Sequence, residues 1–360
     1  MGSPAAGYRR MIDHPPSNLS SWAVILLLWP LAQLYRLVMV ARAVLYRSGL
    51  RPVQRAGIPV VSVGNLTVGG TGKTPVVDAL VKRLLARGLR VAVVSRGYGG
   101  NYRGAVGVVA AGDGRLLLDA QAAGDEPCLL ARRNPALQVY VARRRACGVR
   151  AAEAAGAEVI VLDDGFQHLA VQRDLDIVLL DSRSPFGNGQ LLPAGPLREA
   201  PAALRRAGLV ILTHAAGDAL PPPYFPGQVL RCRHRLADTL STLDGEECPW
   251  SDLTQRQVIA FAGIARPDDF FAALRARGVE LASTLALNDH QDYAAEQLNR
   301  LIQMCDNKSL LITTEKDAVK LRAASFPCPC LIAPLVLEFD EPGQLEEILE
   351  HVVKGVRSEE

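Results

Sequence analysis

The sequence predicts an α/β fold: a mainly parallel sheet with helices on both faces, a smaller C-terminal α/β domain, and an apolar helix ahead of both. Three observations predict it. Runs rich in Val, Ile and Leu recur with helical stretches between them, and they are continuous rather than alternating, the pattern of strands covered on both faces. A glycine-rich turn stands between one of these strands and the helix after it. An uncharged apolar stretch near the N-terminus is followed by spaced arginines.

The 360 residues are enough for about two domains at roughly 150 residues each. Hydrophobic residues make up 49% and charged residues 21%, which excludes a disordered or low-complexity chain. The net charge of +3 is too small to argue for nucleic acid, and no nucleic-acid partner is expected. Its distribution is uneven. Residues 1–55 hold seven arginines and a single acid, Asp13, so a basic apolar arm precedes a near-neutral body, as expected for contact with a membrane surface. The seven cysteines are scattered without a C-x-x-C pair, which reads as ordinary thiols in a reducing compartment.

In chain order, residues 1–18 form an extension without an assigned role, and 19–50 an apolar and basic helix. Trp22–Tyr35 carries no charge. It is shorter than the about 20 apolar residues of a span, and Pro30 is expected to kink it. Arg36, Arg42 and Arg47, with Trp22, Trp29, Tyr35 and Tyr46, read as interfacial anchors of a monotopic helix. A buried core helix and a cleaved signal peptide ending near Ala41-Arg42-Ala43 are the alternatives. Residues 51–219 form the main domain, with strands Ile58–Val63, Val91–Ser95, Val159–Leu162, Ile177–Leu180 and Leu209–Leu212, and helices Thr74–Arg87 and Arg144–Ala155. The Pro-rich stretch from Leu220 opens a connector over 220–250. In 251–360, strands Val258–Ala262, Leu310–Thr313 and Leu331–Pro334 alternate with helices Pro267–Arg277 and Ala294–Cys305. Thr314-Glu315-Lys316-Asp317 reads as a capping box, and Gly355–Glu360 as a frayed tail.

The glycine-rich turn is Gly64-Asn65-Leu66-Thr67-Val68-Gly69-Gly70-Thr71-Gly72-Lys73-Thr74-Pro75. Strand, glycine turn, Lys-Thr and helix are the context of a phosphate-binding loop, which makes the fold P-loop NTPase-like. Glycines let backbone N–H groups face the phosphates. Lys73 neutralises the β- and γ-phosphates, and the Thr74 hydroxyl can ligate Mg²⁺. Thr67 stands where the common pattern has glycine, so the loop is like the Gly-Gly variant. Asp163-Asp164 ends a neighbouring strand and offers carboxylates for the metal shell. Adjacent acids on a continuing strand point to opposite sides, so separate roles are expected.

The phosphate acceptor is left to other clusters. They are Ser95-Arg96-Gly97-Tyr98, Gly124-Asp125-Glu126-Pro127, Asp163-Asp164-Gly165-Phe166-Gln167-His168, Leu191-Leu192-Pro193-Ala194-Gly195-Pro196-Leu197-Arg198-Glu199, Asp289-His290, and Thr313-Thr314-Glu315-Lys316-Asp317-Ala318-Val319-Lys320. With the phosphate loop and the N-terminal helix, they resemble the tetraacyldisaccharide 4′-kinase family of lipid A biosynthesis over nearly the whole chain. Thr67 belongs to that family's pattern. The resemblance implies a membrane-associated kinase on the cytoplasmic face of the inner membrane. It would use ATP and Mg²⁺ to phosphorylate the 4′-hydroxyl of a tetraacyl glucosamine disaccharide 1-phosphate, giving lipid IVA.

Residue roles follow as what the resemblance implies. Asp125 is the base, with His290 orienting it from the second domain. Lys73 and Asp163 complete the catalytic set. Gly69, Gly70, Thr71, Gly72, Lys73, Thr74 and Pro75 bind nucleotide. Thr74 and Asp164 hold the metal, and Arg96, Tyr98, His168 and Arg198 meet the sugar and its 1-phosphate. One rival is a membrane-associated P-loop NTPase or GTPase for metal insertion or protein targeting. The guanine-reading N-K-x-D pattern it predicts does not occur, since Asn307-Lys308-Ser309-Leu310 lacks the Asp. A second rival, a non-catalytic nucleotide-binding module, leaves the acid-rich loops unexplained.

Overall fold

The structure is a computed structural model, and it describes residues 18–215, 222–253, 256–289, 293, 295–306, 308–322 and 325–357. His290 lies outside the described residues. The chain divides into two compact units, neither of them contiguous. The first takes the residues up to Arg96, Ala142–Arg233 and those from Phe339 on; the second takes Gly97–Val141 and His234–Glu338.

The first unit carries a parallel sheet. Its order is Gln228–Leu236, Leu209–Thr213, Leu175–Asp181, Val60–Asn65, Val159–Asp163, Val91–Ser95. Helices Lys73–Ala86 and Arg145–Ala154 pack on its central strands. The strand interiors show why the runs are unbroken. Val178, Leu180, Val210 and Leu212 join one apolar cluster with Ile25 and Ala32 of the N-terminal helix, while the alternate residues Ile177, Leu179, Leu209 and Ile211 are also fully buried. Both faces are therefore covered, and neither can be polar.

The strand Gln228–Leu236 runs inside the stretch expected to be a connector, as do the short strands Leu240–Thr242 and Glu247–Cys248. It alternates Arg231, Arg233 and Arg235 with Leu230 and Cys232, so no continuous apolar run marks it. Of the tail expected to fray, residues 355–357 continue the helix Pro342–Arg357, and residues 358–360 lie outside the described residues.

The N-terminal helix runs from Leu19 to Arg47, and Pro30 lies inside it. Asn18 caps it by accepting from the Ser21 N–H at 2.8 Å. It is longer than the uncharged run suggests, and by length and composition it can cross a membrane. Only 11% of its most apolar window is buried, which excludes a core helix. Most of the buried and half-buried positions, Ile25, Leu28, Ala32, Tyr35, Met39, Arg42 and Tyr46, recur at heptad spacing, with Gln33 and Ala43 beside them, so one seam faces the body. Trp22, Leu26, Leu27, Trp29, Leu34 and Leu37 are exposed.

The second unit holds an antiparallel pair, Gly107–Ala111 with Gln138–Val141, and a six-stranded sheet. In that sheet Cys330–Ile332, Ser309–Thr313, Gln257–Ala262 and Leu281–Ala286 are parallel neighbours. Thr314 caps the short helix Glu315–Ala318 by accepting from the Asp317 N–H, as the capping-box reading expects.

Candidate functional site

The phosphate loop begins where the strand Val60–Asn65 ends. Gly64 has no room for a side chain, because a Cβ there would lie 2.6 Å from the Cβ of Phe166. Gly72 caps the next helix at φ 78°, a left-handed conformation that glycine adopts without strain, and no side chain bonds to the first-turn N–H groups. Those donors and the helix dipole are left for an anion. Gly69, Gly70, Thr71 and Gly72 form the turn, and Lys73, Thr74 and Pro75 open the helix. Proline is tolerated in that first turn because its missing N–H has no intrahelical acceptor there.

Asn65 organises this loop, a role its residue type alone does not announce. Fully buried, it donates to the Thr67 carbonyl at 2.7 Å and to Thr71 Oγ1 at 3.0 Å, and its Oδ1 accepts from Lys73 Nζ at 3.3 Å. Thr213 Oγ1 donates to the Thr71 carbonyl at 3.2 Å from the end of a neighbouring strand.

The two acids occupy different environments. Asp163 is buried at its strand end and accepts from Ser95 Oγ at 3.0 Å. Asp164 turns to φ 52°, which directs its carboxylate to Arg198 Nη1 at 2.8 Å and Lys73 Nζ at 3.7 Å. Burial alone would raise its pKa. Lys73 and Arg198 outweigh burial and hold the carboxyl below its usual range. Arg145, buried at the start of its helix, donates to the Asp163 carbonyl at 3.0 Å and so holds the turn between the acids. Burial lowers Arg145 to about 10 despite the facing carboxylates.

Arg198 reaches Asp164 from the loop that follows a cis Leu192–Pro193 bond. That loop pairs with the phosphate loop: Arg198 N donates to the Leu66 carbonyl at 2.7 Å and Val68 N to the Pro196 carbonyl at 2.8 Å. His168 is pushed down to about 4, by burial first and then by Arg145 and Arg42. It is therefore neutral near pH 7 and suits a sugar hydroxyl better than a phosphate. Arg96 is exposed just beyond the strand Val91–Ser95.

The N-terminal helix touches the same residues. Tyr35 Oη donates to the Arg198 carbonyl at 3.0 Å, and Arg42 Nη2 donates to the Gln167 carbonyl at 2.7 Å. This corrects the expectation that Tyr35, Arg42 and Tyr46 are interfacial anchors. All three lie on the inward seam, with Arg42 over the Tyr46 ring, and a short apolar sequence does not reveal which polar side chains find partners. Trp22, Trp29, Arg36 and Arg47 are exposed.

In the second unit three distant motifs meet. Asp125, buried in the first turn of the helix Asp125–Arg133, accepts from Lys320 Nζ at 2.7 Å. Lys316 lies 3.5 Å from Glu126 and 3.0 Å from Asp289. Burial would lower Lys316, but Glu126 and Asp289 overrule it and keep the ammonium charged. Asp317 is structural: it accepts from the Gly263 N–H, Tyr293 Oη and Thr314 Oγ1. Tyr98, expected at the sugar, is 69% exposed in this unit.

A family model described as tetraacyldisaccharide-1-P 4′-kinase matches residues 24–354. The chain belongs to that family. A tetraacyldisaccharide 4′-kinase from Syntrophotalea carbinolica is 50% identical over 351 residues, covering 97% of this chain and 98% of that one. One from Geobacter metallireducens is 47% identical, covering 83% and 89%. The crystal structure of LpxK from Aquifex aeolicus in complex with ATP superposes with a TM-score of 0.79 at 31% identity, covering 91% of this chain and 99% of that one. As a member of the tetraacyldisaccharide-1-P 4′-kinase family, the chain is an ATP-dependent kinase of lipid A biosynthesis. Its apolar helix and its lipid substrate class associate it with membranes.

Proposed function

We propose that Asp125 is the general base of 4′-phosphorylation and that the phosphate loop presents the γ-phosphate to the acceptor. The observation that carries this reading is the Asp125–Lys320 pair, in which both side chains are buried, at 8% and 11% exposure. A carboxylate held 2.7 Å from an ammonium is fixed in direction, as a base must be. The 4′-oxygen attacks the γ-phosphorus, its proton passes to Asp125, and the bond to the β-phosphate oxygen breaks to leave ADP. The product is the 4′-phosphorylated lipid IVA. His290 orients Asp125 or shares that proton. Lys73 and the N–H groups of Gly70, Thr71, Gly72 and Thr74 neutralise charge on the transferring phosphoryl group.

The donor set suits Mg²⁺, because Thr74, Asp163 and Asp164 offer only hard oxygens. Among the described residues no cluster of three His, Cys, Asp or Glu is placed to hold a metal ion. Mg²⁺ takes one or two carboxylates and fills its shell with phosphate oxygens and water. When bound, Mg²⁺ would neutralise the β- and γ-phosphate oxygens. In the structure Asp164 carries Lys73 and Arg198, so a metal there would draw it from that pair, while Asp163 remains anchored by Ser95.

Arg96, Arg198, Tyr98 and the neutral His168 serve the disaccharide and its 1-phosphate. The body faces the cytoplasm, where ATP is, and residues 19–50 seat it at the inner membrane. A lipid with four acyl chains barely leaves the bilayer, so the enzyme comes to it.

The test is a transfer assay with γ-labelled ATP, Mg²⁺ and a tetraacyl disaccharide 1-phosphate in detergent micelles. Label is expected in the lipid extract with the wild type and absent with Asp125→Ala, whose nucleotide binding is retained. Loss of nucleotide binding in Asp125→Ala would remove Asp125 from the base role. Free phosphate without labelled lipid would favour the NTPase reading.

A further inference from the structure

The N-terminal helix does more than lie on the body. Within the first unit its inward seam is joined to the phosphate loop by two hydrogen-bonded routes and one apolar one. Arg42 Nη2 donates to the Gln167 carbonyl at 2.7 Å, and Gln167 Nε2 donates to the Asn65 carbonyl at 3.0 Å. Asn65 in turn bonds Thr67, Thr71 and Lys73 of the loop. Tyr35 Oη donates to the Arg198 carbonyl, while Arg198 holds Leu66 through its backbone and Asp164 through its side chain. Ile25 and Ala32 share one apolar cluster with Leu66, Phe166 and Leu197.

We propose that Arg42 and Tyr35 are positioning residues that couple membrane seating of the helix to the nucleotide affinity of the phosphate loop. The physical basis is the helix's other face. Leu26, Leu27, Leu34 and Leu37 are 60–77% exposed, so in water the docked helix leaves a large apolar surface wetted. A bilayer removes that surface from water and favours the seated, docked helix. Docking fixes Gln167 and Arg198, and these fix the strand end and the loop on which Lys73 acts. Nucleotide is then held best where the lipid acceptor is. By linkage the coupling is reciprocal: nucleotide tightens membrane binding by the factor by which the membrane tightens nucleotide.

This rests on the reading that residues 19–50 seat the enzyme on a membrane, and the experiment separates the two. Full-length wild type, Arg42→Met, Arg42→Lys and Tyr35→Phe are titrated with a non-hydrolysable ATP analogue. Each titration is made with and without vesicles of phosphatidylethanolamine and phosphatidylglycerol, and vesicle flotation is measured in parallel. The wild type is expected to bind the analogue about tenfold tighter with vesicles. Arg42→Met floats but loses most of that gain, Arg42→Lys, which keeps a donor, retains most of it, and Tyr35→Phe loses part. A saturating analogue raises wild-type flotation by the same factor. A merely structural role would lower the melting temperature without touching the ratio of the two affinities. Wild type that floats but binds the analogue equally with and without vesicles overturns the coupling alone. A full gain in Arg42→Met also overturns it. Wild type that does not float overturns the anchoring reading and the coupling with it.

Discussion

The phosphate loop and the Asp125 cluster are built in opposite ways. The loop is contiguous in sequence and works largely through backbone: glycine conformations, helix-terminal N–H groups and one lysine. The cluster is assembled from Gly124–Pro127, Asp289 and the segment around Lys316 and Lys320, and it works entirely through side-chain charges. A backbone-built site tolerates no added bulk, while a charge-built site tolerates no lost partner. That contrast sets the predictions.

The largest effect is expected at Lys73. Lys73→Ala should reduce transfer by about three orders of magnitude and weaken nucleotide binding with it, since the ammonium serves ground state and transition state alike. Labelled-lipid kinetics and analogue titration check this, and retained nucleotide affinity would break the assignment. Next is Lys320→Met. Removing the cation from a buried pair should cost about 3 kcal/mol of stability by urea denaturation. Lys320→Arg, which keeps a cation beside Asp125, should retain most of that stability. A smaller loss, about 2 kcal/mol, is expected for Gly64→Ala, whose Cβ would meet Phe166 Cβ at 2.6 Å. A wild-type melting temperature in Gly64→Ala would show that the loop base is looser than described.

The smallest effect is a slope. His168 is lowered from 6.5 to about 4 in the folded protein, so the unfolded chain binds its proton first as pH falls. Stability should be fully present above about pH 6.5 and should decline through the window down to about pH 4. The total loss is at most about 3 kcal/mol. His168→Gln should flatten that decline in urea melts taken across the window, and an unchanged slope would assign it to other groups.

What could be read in the sequence follows the same division. The strand, glycine turn and helix at Val60–Ala86 announce themselves locally, as do the doubly covered strands, because burial on both faces demands unbroken apolar runs. The Asp125–Lys320 pair has no local signal. Two charged residues so far apart meet only once the second unit has folded, although the family resemblance already marks both motifs. Asn65 was hidden by its ordinariness, since a buried amide that braces a loop looks like any turn asparagine. The roles of Tyr35 and Arg42 are hidden for a related reason. Their spacing shows the seam but not what lies across it. The strand Gln228–Leu236 was masked by arginines on its alternate positions. The short pair Gly107–Ala111 and Gln138–Val141 gave no long apolar run to notice.

The most direct test of the division of labour measures two quantities on the same samples: label transferred to the lipid, and affinity for a non-hydrolysable ATP analogue, for wild type, Lys73→Ala and Asp125→Asn. The account predicts that Asp125→Asn loses transfer by at least about a hundredfold while keeping wild-type nucleotide affinity, and that Lys73→Ala loses both. Near-normal transfer in Asp125→Asn, or loss of nucleotide affinity in it, would contradict the account.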